Sequence, residues 1–106
     1  MDLAEDAYVL ASQLPADEKS CLSIQIRRSS VSIPSNIAEG SGYGLNRRYV
    51  HHLRIARGSE AELQTQLELA GRLKFATAKQ IREINAKASE VGRMLNGLIS
   101  SLSPDL

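Results

Sequence analysis

The sequence predicts an all-α fold, an antiparallel up-down-up-down four-helix bundle. The composition is rich in Leu, Ala, Arg and Glu, and only 4% of the residues are aromatic, which is typical of helical proteins. Apolar residues recur at steps of three and four along four segments, and short breaks that contain proline or glycine separate these segments. Loops this short force neighbouring helices to run antiparallel. We expect residues 1–106 to form a single domain.

The first two predicted helices depart from a regular bundle. The apolar repeat of helix one covers only about 12 residues before Pro15, whereas each of the other helices has about 25. We therefore expect that the native chain starts upstream of Met1, or that a neighbouring subunit covers the apolar groove beside the short helix. In helix two the apolar stripe from Leu22 to Ile37 continues through Pro34 with its period unchanged. This pattern predicts one helix that is kinked at Pro34.

Helices three and four have recognisable beginnings. Asn46 follows the glycine-rich break at residues 40–44, and it is a good N-cap for helix three. Thr77 and Gln80 have the spacing of a capping box at the start of helix four. Glu60 falls on the apolar face of helix three, so we expect it to face either a water-filled interior or a contact between subunits.

Two further positions of helix three predict close contacts. Gly58 lies in mid-helix, where glycine costs about 1 kcal/mol relative to alanine. We expect another helix, of the same or of a neighbouring subunit, to approach the backbone at Gly58. Glu62 lies one turn beyond Gly58, and Arg28 of helix two is its predicted partner in a structural ion pair.

The basic residues are concentrated in the middle third of the chain. The chain as a whole has 13 basic and 12 acidic residues, but residues 19–57 contain seven basic residues against Glu39 alone. Six of the seven are arginines, whose guanidinium groups can bind phosphate through two hydrogen bonds. A solvated helix face without a ligand is the alternative explanation of such a cluster. The predicted nucleic-acid-binding residues are Arg27, Arg28, Arg47, Arg48, His51, His52, Arg54 and Arg57.

Other classes of protein find little support in the sequence. No apolar run approaches the roughly 20 residues that span a bilayer, and the first residues lack a signal-peptide core, so we expect a cytoplasmic protein without membrane contact. One cysteine and two histidines are too few to suggest a disulfide or a metal site. We therefore predict no enzyme, no catalytic residue, no metal and no cofactor. A minor alternative is a metal-independent ribonuclease, because Arg47 and His52 match the loose R-x4-H pattern of small helical ribonucleases.

One continuous string of residues resembles a known family. The segment QIRRSSVSIPSNIAEG at residues 25–40 resembles the four-helix-bundle proteins encoded in intervening sequences of 23S ribosomal RNA, and residues 53–63 and 94–99 are similar to the same family. The family includes the accessory variability proteins of diversity-generating retroelements, which are homopentamers with basic surfaces that bind nucleic acid and a reverse transcriptase. The resemblance implies a pentamer of bundles without a catalytic centre. It also implies structural roles for Pro34, Asn36, Glu39 and Gly40.

The leading prediction is a non-enzymatic, homo-oligomeric nucleic-acid-binding protein that favours RNA over DNA. Five subunits would multiply the basic block into a dense positive surface. The alternative is a protein-interaction scaffold, in which the same basic block binds an acidic protein partner such as a polymerase or a reverse transcriptase.

Overall fold

The computed structural model describes residues 2–15, 21–44 and 46–103 of the 106 residues. Four α-helices account for most of this part of the chain: α1 at Asp2–Ser12, α2 at Leu22–Ser41, α3 at Asn46–Arg72 and α4 at Ala78–Leu102. The described ranges contain no strand. The all-α, four-helix fold is therefore confirmed. Within the same ranges, no helix has the length and apolarity that crossing a membrane requires.

The apolar stripes of the four helices meet in one core. All four helices contribute to this cluster, and the stretch after α1 adds Leu14. Helix α3 packs against both α2 and α4, and its contact with α2 is the most extensive in the molecule. Helix α1 lies mainly on α2 and touches α4. The apolar side chains that are buried completely and have the largest volume are Ile26, Leu53, Leu63 and Leu67.

Contacts between α2 and α3 run in opposite order along the two helices. Near the end of α2, Gly40 lies against Tyr49 and His52 in the first two turns of α3. About two turns earlier in α2, Ser32 accepts a hydrogen bond from Ser59, which lies further along α3. This arrangement places the end of α2 beside the beginning of α3, where most of the predicted basic residues lie.

Helix α1 is short, as predicted, but its end differs from the expected one. It contains 11 residues, whereas α2, α3 and α4 contain 20, 27 and 25. The helix ends at Ser12, three residues before Pro15. Residues 16–20 between Pro15 and Cys21 lie outside the described ranges, and α2 begins at Leu22.

Helix α2 continues through Pro34 as a single α-helix. Proline lacks an N–H group and so removes one hydrogen bond from the helix interior. The side-chain amide of Asn36 adds a bond on this turn, because its Nδ2 donates to the carbonyl oxygen of Ser32 at 2.8 Å. A bend of the helix axis at Pro34 stays a prediction.

The two expected helix starts have different outcomes. Asn46 is the first residue of α3 and not the residue before it, so its prediction as N-cap is wrong. The capping box of α4 is confirmed. Thr77 Oγ1 accepts the backbone N–H of Gln80 at 3.1 Å, and Gln80 Oε1 accepts the backbone N–H of Thr77 at 2.9 Å.

Candidate nucleic-acid interface

The first half of α3 carries an exposed row of positive charge. Buried apolar residues, among them Leu53 and Ala56, turn one side of this helix towards the core. The basic residues fall between them in sequence and are therefore on the outside. The name basic face is used below for the five exposed basic residues in the first half of α3, which are Arg47, Arg48, His51, Arg54 and Arg57.

No acidic side chain neutralises the basic face within the described part of the chain. The two ion pairs found there join Arg72 to Glu68 and Lys87 to Asp6. The second pair raises the pKa of Lys87, mainly through its hydrogen bond to Asp6. Both pairs lie outside the basic face, so its guanidinium groups are available to anions from solution.

An aromatic ring adjoins the basic face at the end of α2. Tyr43 is 41% exposed, and the guanidinium carbon of Arg48 lies 4.8 Å from the centroid of its ring. The same ring stacks on the imidazole of His52, with centroids 5.5 Å apart and planes inclined by 19°. Arginine next to an aromatic ring is a common arrangement where proteins bind unpaired nucleotides.

His52 is half-buried and is held by α2. Its Nδ1 lies 3.0 Å from Oδ1 of Asn36. The orientation of the Asn36 amide is determined by its other side, where Nδ2 donates to the backbone oxygen and to the hydroxyl oxygen of Ser32. The amide oxygen therefore faces the ring and accepts a hydrogen bond from Nδ1–H of His52.

Ser59 extends this arrangement further along α3. Its hydroxyl donates to Oγ of Ser32 at 2.7 Å. A chain of hydrogen bonds thus runs from Ser59 through Ser32 and Asn36 to His52, and it joins α2 to α3 at two levels. Buried polar groups that are paired in this way favour one relative position of the two helices.

Gly40 allows the two helices to approach closely beside this chain of hydrogen bonds. A Cβ atom added at Gly40 would lie 2.7 Å from Cβ of His52 and 3.0 Å from Cδ1 of Tyr49. Contacts this short do not occur between real side chains, so any larger residue would push α3 away from α2. Glu39, the neighbouring motif residue, is exposed, and one of its carboxylate oxygens lies 3.5 Å from the hydroxyl of Tyr43.

The two predicted binding residues of α2 lie apart from Tyr43 and its neighbours. Arg27 points to α1, where its guanidinium carbon lies 5.0 Å from the ring centroid of Tyr8. Its Nε is buried and has no hydrogen-bond partner within the described ranges. Arg28 is exposed on α2. The structure thus collects the basic residues of α3 on one side of a helix and directs Arg27 elsewhere.

A groove of about 420 Å³ lies between α3 and α4 and brings in a basic residue that the sequence reasoning missed. Arg54 and Arg57 line it from α3, and Arg93 lines it from α4. Arg93 belongs to the part of the chain in which positive and negative charges balance, so charge counting along the sequence did not single it out. Only the packing of α4 on α3 places it beside the basic face.

Glu60 is buried in the contact between α3 and α4, where it is one of the residues that line this groove. Only 6% of its surface is exposed, and its Oε1 accepts a hydrogen bond from Nε2 of Gln64 on the same helix. Gly92 of α4 makes room for it, since an added Cβ there would lie 2.8 Å from Oε1. The carboxylate is therefore accommodated within this chain. The expected contact of Glu60 with another subunit stays a prediction.

The two further predicted contacts of α3 have different outcomes: the ion pair of Glu62 is wrong, and the approach to Gly58 is absent within this chain and stays a prediction for a neighbouring subunit. An added Cβ at Gly58 would meet nothing within 4 Å, so no helix of this chain approaches the backbone there. Glu62 and Arg28 are both exposed, and no ion pair joins them. The ion-pair prediction assumed a relative rotation of α2 and α3 that brings both side chains into the interface, whereas their packing leaves both outside it.

The described residues include no group of three or more His, Cys, Asp or Glu side chains that could hold a metal ion. The fold and the site thus define a class of protein, an all-α bundle of four helices with a basic face on its third helix. The model of the 23S rRNA-intervening sequence protein family matches residues 1–97, and the chain belongs to this family.

One solved structure is similar over nearly the whole chain. It is the crystal structure of a protein of unknown function from the S23 ribosomal protein family of Bacteroides thetaiotaomicron VPI-5482. The two sequences are 26% identical, the match covers 92% of this chain and 97% of the other, and the TM-score is 0.74. No curated protein matches the sequence.

Proposed function

We propose that this protein is a non-enzymatic, homo-oligomeric nucleic-acid-binding protein that prefers RNA to DNA and binds through the basic face. The observation that carries the proposal is the absence of ion pairs to these five exposed basic residues within the described ranges. Arginines that already have a carboxylate partner would gain little from a phosphate, whereas unpaired ones can replace the counterions of a nucleic acid.

The surroundings of Tyr43 support the preference for RNA. Sequence-specific RNA recognition is directed mainly at unpaired nucleotides, whose bases stack on aromatic rings and on guanidinium planes. Tyr43 and the neighbouring Arg48 supply such an aromatic ring and such a guanidinium group. Arg47 and His51 lie within one turn of Arg48 on α3. We therefore expect structured RNA with unpaired loops to bind more tightly than duplex DNA.

Fluorescence anisotropy over a salt series tests the proposal. Labelled structured RNA, single strands and duplex DNA are titrated with the wild type and with the double variant Arg47→Ala/Arg48→Ala. We expect the affinity of the wild type to fall steeply with salt, and we expect the double variant to show a slope shallower by about 2, which corresponds to two lost phosphate contacts. The labelled RNA should be recovered intact from every mixture.

The matched control is Arg72→Ala/Arg82→Ala, which removes the same charge from α3 and α4 outside the basic face. It should retain the wild-type salt slope. Weak binding of the wild type to every nucleic acid, independent of salt, would contradict the proposal. Static light scattering tests the oligomer separately, because a pentamer has about five times the 11.6 kDa mass of the chain and a stable monomer at micromolar concentration would defeat it.

An apolar patch favours a second candidate, a scaffold that binds an acidic protein partner. Tyr8, Val9 and Val31 are exposed and, with Ala4 and Glu5, line a shallow groove between α1 and α2. Exposed apolar groups that lie together are typical of protein contacts. Polyglutamate serves as the probe in the same salt series, and tighter binding of polyglutamate than of RNA at equal charge would favour the scaffold.

A further inference from the structure

We propose that the groove between α3 and α4 seats the sugar–phosphate backbone of a bound nucleic-acid strand, with Arg93 as a phosphate contact and Gly58 as the point of closest approach. This inference rests on the proposed function and extends it from one helix face to a site made by two helices. The name arginine groove is used below for this site, whose lining includes Arg54, Arg57, Gly58, Glu60, Gly92, Arg93 and Asn96.

The charge of the arginine groove fits a phosphodiester backbone. Three guanidinium groups from two helices line it, and the one carboxylate among the lining residues is Glu60, so the lining carries a net charge of +2. The Glu60 carboxylate is almost fully buried at the floor, where the amide of Gln64 donates to it. The arginines are exposed and form no ion pair within the described ranges. A strand in the groove would therefore meet the guanidinium groups before it met the carboxylate.

Gly58 supplies an observation that is independent of charge. Glycine inside a helix lowers stability relative to alanine, so a mid-helix glycine often has a packing reason. Gly40 and Gly92 have such reasons, since an added Cβ would collide with His52 or with Glu60. Gly58 has none within this chain, because it is exposed and the space above it is open.

The open space above Gly58 adjoins the arginine groove. Gly58 lies one turn after Arg54 and next to Arg57, and it lines the arginine groove together with these two residues and with Arg93 of α4. A side chain at this position would project into open space at the lining of the groove. A phosphodiester backbone can pass close to the helix here, with guanidinium groups of both α3 and α4 lining the same groove to bind its phosphates.

The first test separates binding from folding. We expect Gly58→Ala and Gly58→Leu to raise the melting temperature, since both residues favour helix more than glycine does. The affinity for structured RNA should nevertheless fall, about threefold for alanine and about tenfold for leucine. The control is Gly97→Ala, because Gly97 is also exposed with open space around it but does not line the groove. It should raise the melting temperature and leave the affinity within a factor of two.

The second test addresses the charge. Arg93→Ala should weaken RNA binding about tenfold and make the salt slope shallower by about 1, as expected when one phosphate contact is lost. Arg82→Ala is the matched control, since it removes the same charge from an exposed position of α4 outside the groove. It should bind RNA as the wild type does.

The outcomes distinguish this inference from the proposed function. One outcome would overturn this inference alone: RNA binding is weakened in Arg47→Ala/Arg48→Ala but is unchanged in Arg93→Ala and Gly58→Leu. The strand would then not bind in the arginine groove, and the proposed function would stand. A wild type that binds no nucleic acid overturns both. If Gly58→Leu changes the mass measured by light scattering, the groove is a contact between copies of the chain and the inference is overturned.

Discussion

Helix α3 packs against its two main neighbours in different ways. On the side of α2, polar side chains pair across the interface, as Asn36 does with His52 and Ser32 does with Ser59. On the side of α4, the buried carboxylate of Glu60 accepts its hydrogen bond from a residue of its own helix. The α2 contact is thus held by polar groups of both helices, whereas the polar groups of the α4 contact are not shared in this way.

The two sides of α3 also differ in how much open space lies between the helices. Gly40 brings the backbones of α2 and α3 so close that little room is left between them. Between α3 and α4 lie the arginine groove and a second groove of about 800 Å³, whose lining includes Gln64, Arg82 and Asn85. Asn85 Oδ1 is buried there without a partner in the described part of the chain. The comparison shows that residues 25–40, the segment that resembles the family, maintain the contact between α2 and α3. The surfaces suited to outside molecules lie on the basic face and along the contact between α3 and α4.

The largest effect is expected from Gly40→Val, which tests the close approach of α2 and α3. The added Cβ would lie 2.7 Å from Cβ of His52, an atom that is fixed by the backbone and cannot turn aside. We expect a loss of about 3 kcal/mol in the free energy of unfolding. The urea midpoint measures this loss.

The control for this variant is Gly42→Ala. Gly42 has a helical φ of −72°, and an added Cβ would make only ordinary contacts, the nearest at 3.4 Å. Alanine should be tolerated there. Equal urea midpoints for Gly40→Val and the wild type would mean that the two helices do not need their close approach.

A smaller effect is expected from Asn36→Leu, which keeps the branched shape of the side chain but removes the amide. The variant leaves the Nδ1–H group of His52 without its acceptor and removes two hydrogen bonds to Ser32. Unpaired groups in such positions cost about 1–3 kcal/mol, so we expect a loss of about 2 kcal/mol in the free energy of unfolding.

A double-mutant cycle with His52→Ala measures the coupling free energy between Asn36 and His52. If Asn36 acts through His52, the losses of the two single variants should not add, and the coupling should be about 1 kcal/mol. Additive losses would show that the two side chains contribute independently. Gln25→Leu, at an exposed position of the same helix, should leave the urea midpoint almost unchanged.

The smallest effect is expected from Gly92→Ala on the side of α4. Its added Cβ would also come within 2.8 Å of another atom, but that atom is Oε1 at the end of the Glu60 side chain, which can turn away. We expect a loss of about 1 kcal/mol or less in the free energy of unfolding. In a Glu60→Ala background the same substitution should instead stabilise the protein, because alanine favours helix.

The losses in stability of Gly92→Ala and Gly40→Val together test whether the two sides of α3 differ. If Gly92→Ala lowered the free energy of unfolding as much as Gly40→Val, the contact of α4 with α3 would tolerate an added side chain no better than the contact of α2 does. The two sides of α3 would then not differ in the way described above. Thermal unfolding of both single variants and of the Glu60→Ala/Gly92→Ala double variant decides this point.

Features that depend on neighbouring residues along the chain could be predicted from the sequence. The four helices follow from apolar periodicity, and the capping box of Thr77 and Gln80 joins residues three positions apart. The short first helix and the exposed basic residues of α3 follow from the same local patterns. These features are local because helical hydrogen bonds join residues four apart and side chains repeat on one face every three to four residues.

Only the tertiary structure decided which residues of different helices meet. Asn36 pairs with His52, and Arg93 joins the groove of Arg54 and Arg57, although nothing in their spacing along the chain indicates either meeting. The predicted partnership of Arg28 with Glu62 was wrong for the same reason. Contacts between helices depend on the rotation of each helix about its axis and on the offset between them, and these follow from how all the side chains of the core fit together.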